Sequence, residues 1–418
     1  MDHRYPSMKS FFKAIAKAIL LVIGLAFFYI NFSLYAKTAF QKENFGSYNL
    51  DVVHQLHFLR TKIDEGEAVK MQSLFPEGFV FFHAIYGLSW GDLIANQSDT
   101  SAIYRQGLKE ISQSLDAIFS PEGKRTFSKN LPLEYGAYYR GWSNYLLAQK
   151  IALTKSLDRD SSEIHRYLQN CIAISAAIDQ SKSPYLESYN NNCWPADMLV
   201  AVSSLQLANE ITDTSFDTTI QSWLEKTKKH LDSSGLIPHS TQVDGTIIEP
   251  ARGSSQALIL RFLVDIDKDF AFEQYETFKE IFTQSRLGLK AVREYSKDAT
   301  NDNGDVDSGP IIWDIGTVAT IVSQGTFGKF NDWNRYQETK NCLNILGLGH
   351  TSGAEKKYLL GMYPMADVFL AWSNAMEPVD LETKVNGNWR WKFQIFSFLM
   401  LTIAALIFIG IARYDYKK

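Results

Sequence analysis

Cysteine is scarce in this chain of 418 residues. Cys171, Cys193 and Cys342 form an odd, widely spaced set without a CxxC pair, which excludes a disulfide framework or a zinc ribbon. The eight histidines are scattered and include no HExxH, so a histidine-rich metal site is not expected. No GxGxxG, P-loop, GxSxG elbow or kinase signature occurs, and no cofactor is implied. A Lys/Arg cluster of the kind that grips a phosphate backbone is also missing, and the net charge is −4. Nucleic acid is therefore not expected as a partner.

Aromatic residues are abundant, at 13% of the chain. They fit either a large aromatic core or an aromatic-lined cleft for a sugar or an apolar ligand. Two stretches stand apart because they carry no charge. Residues 18–36 and 393–412 are each long enough to cross a hydrocarbon core of about 30 Å at 1.5 Å per residue. Arg4, Lys9, Lys13 and Lys17 precede the first. Trp389 and Trp391 come before the second, with Tyr414, Arg413, Lys417 and Lys418 after it. The first run is longer than the apolar core of a signal peptide, and no clear cleavage site follows it. By the positive-inside rule, residues 1–17 and 413–418 lie in the cytoplasm of a bacterium, the two runs span its inner membrane, and residues 45–388 face the periplasm. Lys37, Lys42, Arg390 and Lys392 on the other side weaken that asymmetry.

Between the two runs, two kinds of helical segment alternate. One kind is amphipathic, as at 101–119, 161–179, 218–232, 269–285 and 332–346, with a first example around 50–70. Apolar residues there recur at three- and four-residue steps. The other kind has few charges and many small or aromatic residues. Its six examples begin near residues 79, 138, 195, 254, 310 and 363, an even spacing that marks a repeated supersecondary unit. A helix with few charges around its girth is covered on most sides. The expected architecture is all-α, an (α/α)6 toroid of six inner and six outer helices with a transmembrane helix at each end. An open solenoid is the alternative, and strands are not expected. In a toroid the loops entering the inner helices meet at one mouth, where helix N-termini present unpaired N–H groups.

Polar clusters precede the low-charge segments. Residues 131–145 offer Glu134, Tyr138, Tyr139, Arg140 and Trp142 for binding, against an alternative of simple packing. Residues 185–198 offer Asn192, Cys193, Trp194 and Asp197. Cys193 either stands before a helix start as a stabilised thiolate or is a small buried Cys, and Asp197 suits the helix dipole on structural grounds alone. Residues 238–256 bring His239, Glu249 and Arg252, the last two either paired with each other or free to act as acid and anion binder. Glu294 follows, then Asp302, Asp305 and Asp307 in a Gly-rich stretch. This stretch lacks the closing Glu of a calcium loop. Tyr363 and Asp367 complete the set. Asp305, Asp307, Glu249, Cys193 and Asp197 are the catalytic candidates, because carboxylates held together divide acid and base roles by shifting one another's pKa.

The runs NNNCWPADMLVAVSSL, GLIPHS, EPARGSSQALILRFL, VREY and GDVDSGPII, within about residues 130–375, resemble the linalool dehydratase/isomerase-like domain family. The resemblance implies an (α/α)6 barrel and cofactor-free lyase or isomerase chemistry on a small hydroxylated, apolar substrate. It also implies a pocket of cysteines, Asp, His and tyrosines. Ala196 stands here where relatives carry a Cys. The same barrel also hosts glycoside hydrolases and polysaccharide lyases, so hydrolysis of an envelope glycan is a second expectation. A non-catalytic glycan- or lipid-binding protein, alone, as a homo-oligomer or within a membrane complex, is the third.

Overall fold

The computed structural model of the chain describes residues 8–43, 46–299, 304, 305, 308–387 and 390–416. Among these the architecture is mostly helical. Helix α1 (Met8–Ser33) leads to a hairpin of β1 (Phe40–Glu43) and β2 (Gly46–Asn49). Helices α2 (Leu50–Asp64), α3 (Glu67–Leu74), α4 (Gly78–Ile94), α5 (Ala102–Phe119) and α6 (Pro121–Lys124) follow, then α7 (Gly136–Leu153), α8 (Ser161–Gln180), α9 (Pro195–Ile211) and α10 (Asp217–Lys228). Strands β3 (Ser240–Thr241) and β4 (Ile247–Glu249) precede α11 (Gly253–Ile266) and α12 (Lys268–Phe282). Next come β5 (Thr283–Arg286), β6 (Leu289–Val292), β7 (Ile311–Ile312), β8 (Ile315–Gly316), α13 (Thr317–Lys329) and α14 (Trp333–Leu346). The chain continues through β9 (His350–Ser352), β10 (Glu355–Lys357), α15 (Pro364–Asn374), α16 (Leu381–Lys384) and α17 (Arg390–Tyr416).

Local chemistry explains where the charged helices start. Asn49, Ser101, Asp160, Asp267 and Asp332 each accept a backbone N–H at the start of α2, α5, α8, α12 and α14. Such a cap contributes about 1 kcal/mol. Helix α5 buries Ile103, Tyr104, Gly107, Ile111, Leu115 and Ile118, one stripe at helical spacing. The low-charge helices behave differently, and in α4 every residue except Phe81 and Asp92 is buried.

These buried helices contact one another in chain order: α4 with α7, α7 with α9, α9 with α11, α11 with α13 and α13 with α15. Helix α15 then packs back on α4. The capped helices lie against them, α5 on α4, α8 on α7, α10 on α9, α12 on α11 and α14 on α13. Helix α2, from the start of the domain, packs on α15 and α4. Neighbours run parallel, because their contacts advance together. From α7 towards α9, Gly136 abuts Ser188, Gly141 abuts Asp197 and Ala201, and Asn144 donates to Ser204. Gly136 has φ +82, and a Cβ there would collide with the Ser188 carbonyl, so only glycine fits.

Two side chains join opposite members of this series. Arg261 of α11 donates to Asp92 of α4 at 3.1 Å and to the Trp372 carbonyl at 3.2 Å, with its guanidinium 3.3 Å from the Trp372 ring centroid. Trp142, Phe262 and Trp372 pack edge-on or tilted beside it, with centroids 5.8–6.2 Å apart. Burial lowers the Arg261 pKa to about 10, so it stays charged at neutral pH, and burial also raises that of Asp92. Asp92→Ala leaves a sealed guanidinium without its carboxylate and is expected to cost roughly 3 kcal/mol in a denaturant titration. Arg261→Met with Asp92→Leu should recover much of that loss.

The structure departs from the sequence reading in three places. Among the described residues strands do form, as five two-stranded hairpins. The segment expected to be helical from residue 309 instead makes the β7–β8 hairpin, and α13 begins at Thr317. Paired isoleucines favour extended backbone, and Trp313 and Asp314 adopt the left-handed turn such a hairpin needs. The first apolar helix ends at Ser33, short of Ala36.

Helices α1 and α17 contain stretches, Phe11–Ser33 and Arg390–Arg413, long and apolar enough to cross a membrane, and almost nothing of either is buried. They pack on each other. Asn31 donates to Ser397 at 2.5 Å, and the Phe27 ring lies 6.0 Å from that of Phe396. At the domain end Leu34 and Phe393 share a hydrophobic cluster with Leu289, Ala291, Cys342 and Ile345.

Candidate functional site

The starts of α11 and α13 converge on one charged cluster. Gly253 places the backbone of α11 against the Arg293 carbonyl, where a Cβ would collide, and its N–H donates to the Glu294 carbonyl at 2.8 Å. The Glu294 carboxylate then receives Ser254 Oγ at 2.6 Å and the Ser254 N–H at 3.2 Å. It therefore caps a helix that belongs to another part of the chain. Next to Ser254 in the loop, Arg252 donates to Asp305 at 2.6 Å and also pairs with Glu249, and its guanidinium lies 5.2 Å from the Tyr295 ring. Asp305 also accepts the Ser308 N–H at 2.8 Å.

Burial divides these carboxyl groups. Glu294 is 1% exposed. Burial raises its pKa to about 7, against the pull of the Ser254 donors and Arg252. Asp305 keeps 43% of its side chain open. Partial burial works against its charge, but the hydrogen bonds from Arg252 and Ser308 outweigh that and hold it below the usual range. One carboxyl group thus carries a proton for much of the time at neutral pH, and the other is ionised. Burial and the nearby Arg252 lower His239 to about 3, so its imidazole is neutral. Its Nδ1 is buried without a hydrogen-bond partner.

The cluster unites five sequence candidates, Glu249, Arg252, Asp305, His239 and Glu294. Glu249 and Arg252 are paired rather than free. Asp307 and Asp302 lie outside the described residues. Cys193 is buried and its backbone bridges to Thr241. Burial, helped by Glu187, pushes its thiol up to about 12. Desolvation outweighs the helix dipole there, which fits a small buried Cys rather than a thiolate. Asp197, in the first turn of α9, is buried and accepts the Ser188 hydroxyl, a structural tie. Trp194 lies against Tyr189 at 4.8 Å, and Asn192 bonds the Asn190 carbonyl at 2.8 Å within its own turn. Asp367 is buried in the first turn of α15, accepts the Tyr358 N–H at 2.8 Å, and is raised by burial to about 7. Tyr363 beside it is exposed.

The residue 131–145 cluster splits in two. Tyr138 and Trp142 turn inward, where the half-buried Phe81 meets Tyr138 at 5.1 Å, Trp142 at 5.0 Å and Phe369 at 5.5 Å. Glu134, Tyr139 and Arg140 line a separate cavity of about 370 Å³ between α5, α7 and α8, together with Lys124, Arg166 and Asn170. Arg140 is committed there, to Glu134 and, at 2.5 Å, to Asn170. Sequence reasoning missed Ser254, Tyr295 and the Arg261–Asp92 pair. The available signal for that pair was a charge in the middle or last turn of each of two sparsely charged helices. No protein-family model matches the chain, and no curated protein matches it.

Proposed function

We propose that the protein is a membrane-anchored enzyme of the (α/α)6 toroid class. It carries out cofactor-independent acid–base chemistry, of the linalool dehydratase/isomerase-like kind, on a small hydroxylated, largely apolar substrate. The closed succession of contacts from α4 through α15 back to α4 supports the toroid. The observation that carries the chemistry is the split between Glu294, raised to about 7, and the ionised Asp305, bridged through Arg252 and Ser254. Two titratable groups pushed apart in one site are the mark of an acid and its counterpart.

Glu294 donates its proton to the substrate hydroxyl, and the C–O bond breaks as water leaves. Asp305 stabilises the positive charge that grows on carbon and takes a proton from the neighbouring carbon, giving an alkene. A C–H bond beside a cationic carbon is strongly acidic, so a weakly basic carboxylate is sufficient. Arg252 fixes the Asp305 carboxylate in place, and pre-set charge of this kind needs no reorganisation during the reaction. By this reading the domain faces the periplasm and α1 and α17 span the inner membrane.

The test is a turnover screen of the full-length protein in lipid nanodiscs, pairing allylic alcohols with envelope oligosaccharides. The expected product is an alkene or a rearranged alcohol, detected by gas chromatography. Release of reducing ends from a glycan, with the alcohols untouched, would assign the same carboxyl groups to glycoside hydrolysis.

A further inference from the structure

Six of the exposed large apolar side chains of the domain gather in one region. Leu287, Ile312, Trp313, Leu348, Leu360 and Met362 are between 43% and 71% exposed. All six lie on turns next to the point where α1 and α17 join the domain. Leu287 is at the tip of the β5–β6 hairpin, and the next residue, Gly288, sits against Lys392 and Phe393 at the start of α17. Arg286 and Gln284 in that hairpin donate to the Trp313 and Asp314 carbonyls at 3.2 and 2.6 Å, which ties down the β7–β8 tip carrying Ile312 and Trp313. Leu348 follows α14, whose Ile345 shares the cluster with Phe393 and Leu34. The Leu359 N–H bonds the Gly347 carbonyl at 2.7 Å, which brings in Leu360 and Met362. The patch is thus continuous with the ends of both apolar helices.

The same turns are the entrances to the buried helices. β6 leaves the Phe393 cluster at Leu289 and reaches Glu294 five residues later, about 16 Å at strand rise. The β7–β8 hairpin leads straight into α13, and Met362 stands two residues before α15. An apolar surface this concentrated marks an interaction site, and its continuity with the two apolar helices identifies the occupant as a lipid leaflet.

We propose that this rim dips into the leaflet, so that the mouth beside Glu294 opens onto the bilayer and takes a membrane-borne amphiphile, a hydrocarbon chain with a hydroxyl head. The hydroxyl head rests on the acid–base reading above. The position of the rim does not, and its test needs no turnover.

The test uses full-length protein reconstituted in phosphatidylcholine vesicles, with an environment-sensitive fluorophore on Trp313→Cys. The three native cysteines are buried. Leu157→Cys is the control, 98% exposed and just beyond the opposite end of α7. Acyl-chain nitroxide lipids should quench the probe at 313 several-fold more than iodide does, with the reverse at 157. A probe at 313 quenched like the one at 157 would overturn the proposal. So would a probe that neither quencher reaches, since a protein partner would then cover it. For the substrate route, a long-chain allylic alcohol should raise the melting temperature in vesicles, and its half-saturating amount should rise in proportion to added phosphatidylcholine. No stabilisation, or a dependence on aqueous concentration alone, would overturn the membrane route. Loss of turnover in Glu294→Gln with unchanged quenching separates the two proposals, because failure of one leaves the other standing.

Discussion

Glu294→Gln is expected to lower turnover by about 10²–10⁴-fold, the usual contribution of a general acid, and to leave the fold standing. Gln keeps an acceptor oxygen for Ser254 Oγ, which now bonds Glu294 at 2.6 Å, but it has no proton to give. Asp305→Asn is expected to lower turnover too, and it differs in the pH profile. With Glu294 at about 7, wild-type activity should fall as pH rises through neutrality, because the acid is spent before it meets substrate. Asp305→Asn should keep that alkaline limb at reduced height, while the residual activity of Glu294→Gln should lose it. Steady-state rates from pH 5 to 9 on the three proteins check this. A normal alkaline limb in Glu294→Gln would remove the residue from the proton-transfer role.

The stability contributed by two buried carboxyl groups should move with pH in the direction opposite to that of salt-bridged carboxylates. Glu294 and Asp367 are both raised by burial to about 7. The native state therefore binds protons more tightly than the unfolded chain between the ordinary carboxyl range and pH 7. Stability from these two groups is fully present below pH 4 and is lost as pH rises through about 7. At 1.36 kcal/mol per pKa unit, each contributes on the order of 3 kcal/mol. Between pH 5 and 8 the buried neutral His83 and His239, lowered to about 4 and about 3, act in the opposite sense, so the carboxyl contribution is read as the difference between wild type and variants. Relative to each of Glu294→Gln and Asp367→Asn, wild type should lose stability as pH rises from 5 to 8, and relative to the two combined it should lose most. Asp305, held below its usual range, acts in the reverse sense and only at lower pH. A wild-type-minus-variant difference that is flat from pH 5 to 8 would contradict the burial of both groups.

Much of the scaffold was legible because helix periodicity is a local property. Pro195 at a first helical turn marked the start of α9, and the scarcity of charge around α4 foretold its near-complete burial. The failures are where tertiary contacts override local signals. Ile311, Ile312 and Trp313 look like the continuation of a helix but pair as a hairpin. Cys193 has the right sequence address for a thiolate, yet the packing around it removes water and reverses the shift. In the sequence Glu294 is a polar residue near the Asp305 loop, open to binding or to sharing acid and base roles with it. Its acid character comes from burial under Gly253 and Ser254, forty residues away, which no local pattern encodes. The Arg261–Asp92 contact joins residues 169 positions apart. Lys124 and Arg166 come together in the lining of one cavity for the same reason.

The most direct test of the account is the protonation state of Glu294 itself. Infrared difference spectra of the full-length protein, recorded against pH and compared with Glu294→Gln, isolate the stretch of its protonated carboxyl group. The account requires a band that titrates with a midpoint near 7 and is absent from the variant. A midpoint in the ordinary carboxyl range, near 4, would mean that Glu294 is ionised at neutral pH, and the acid on which the proposed chemistry depends would not exist.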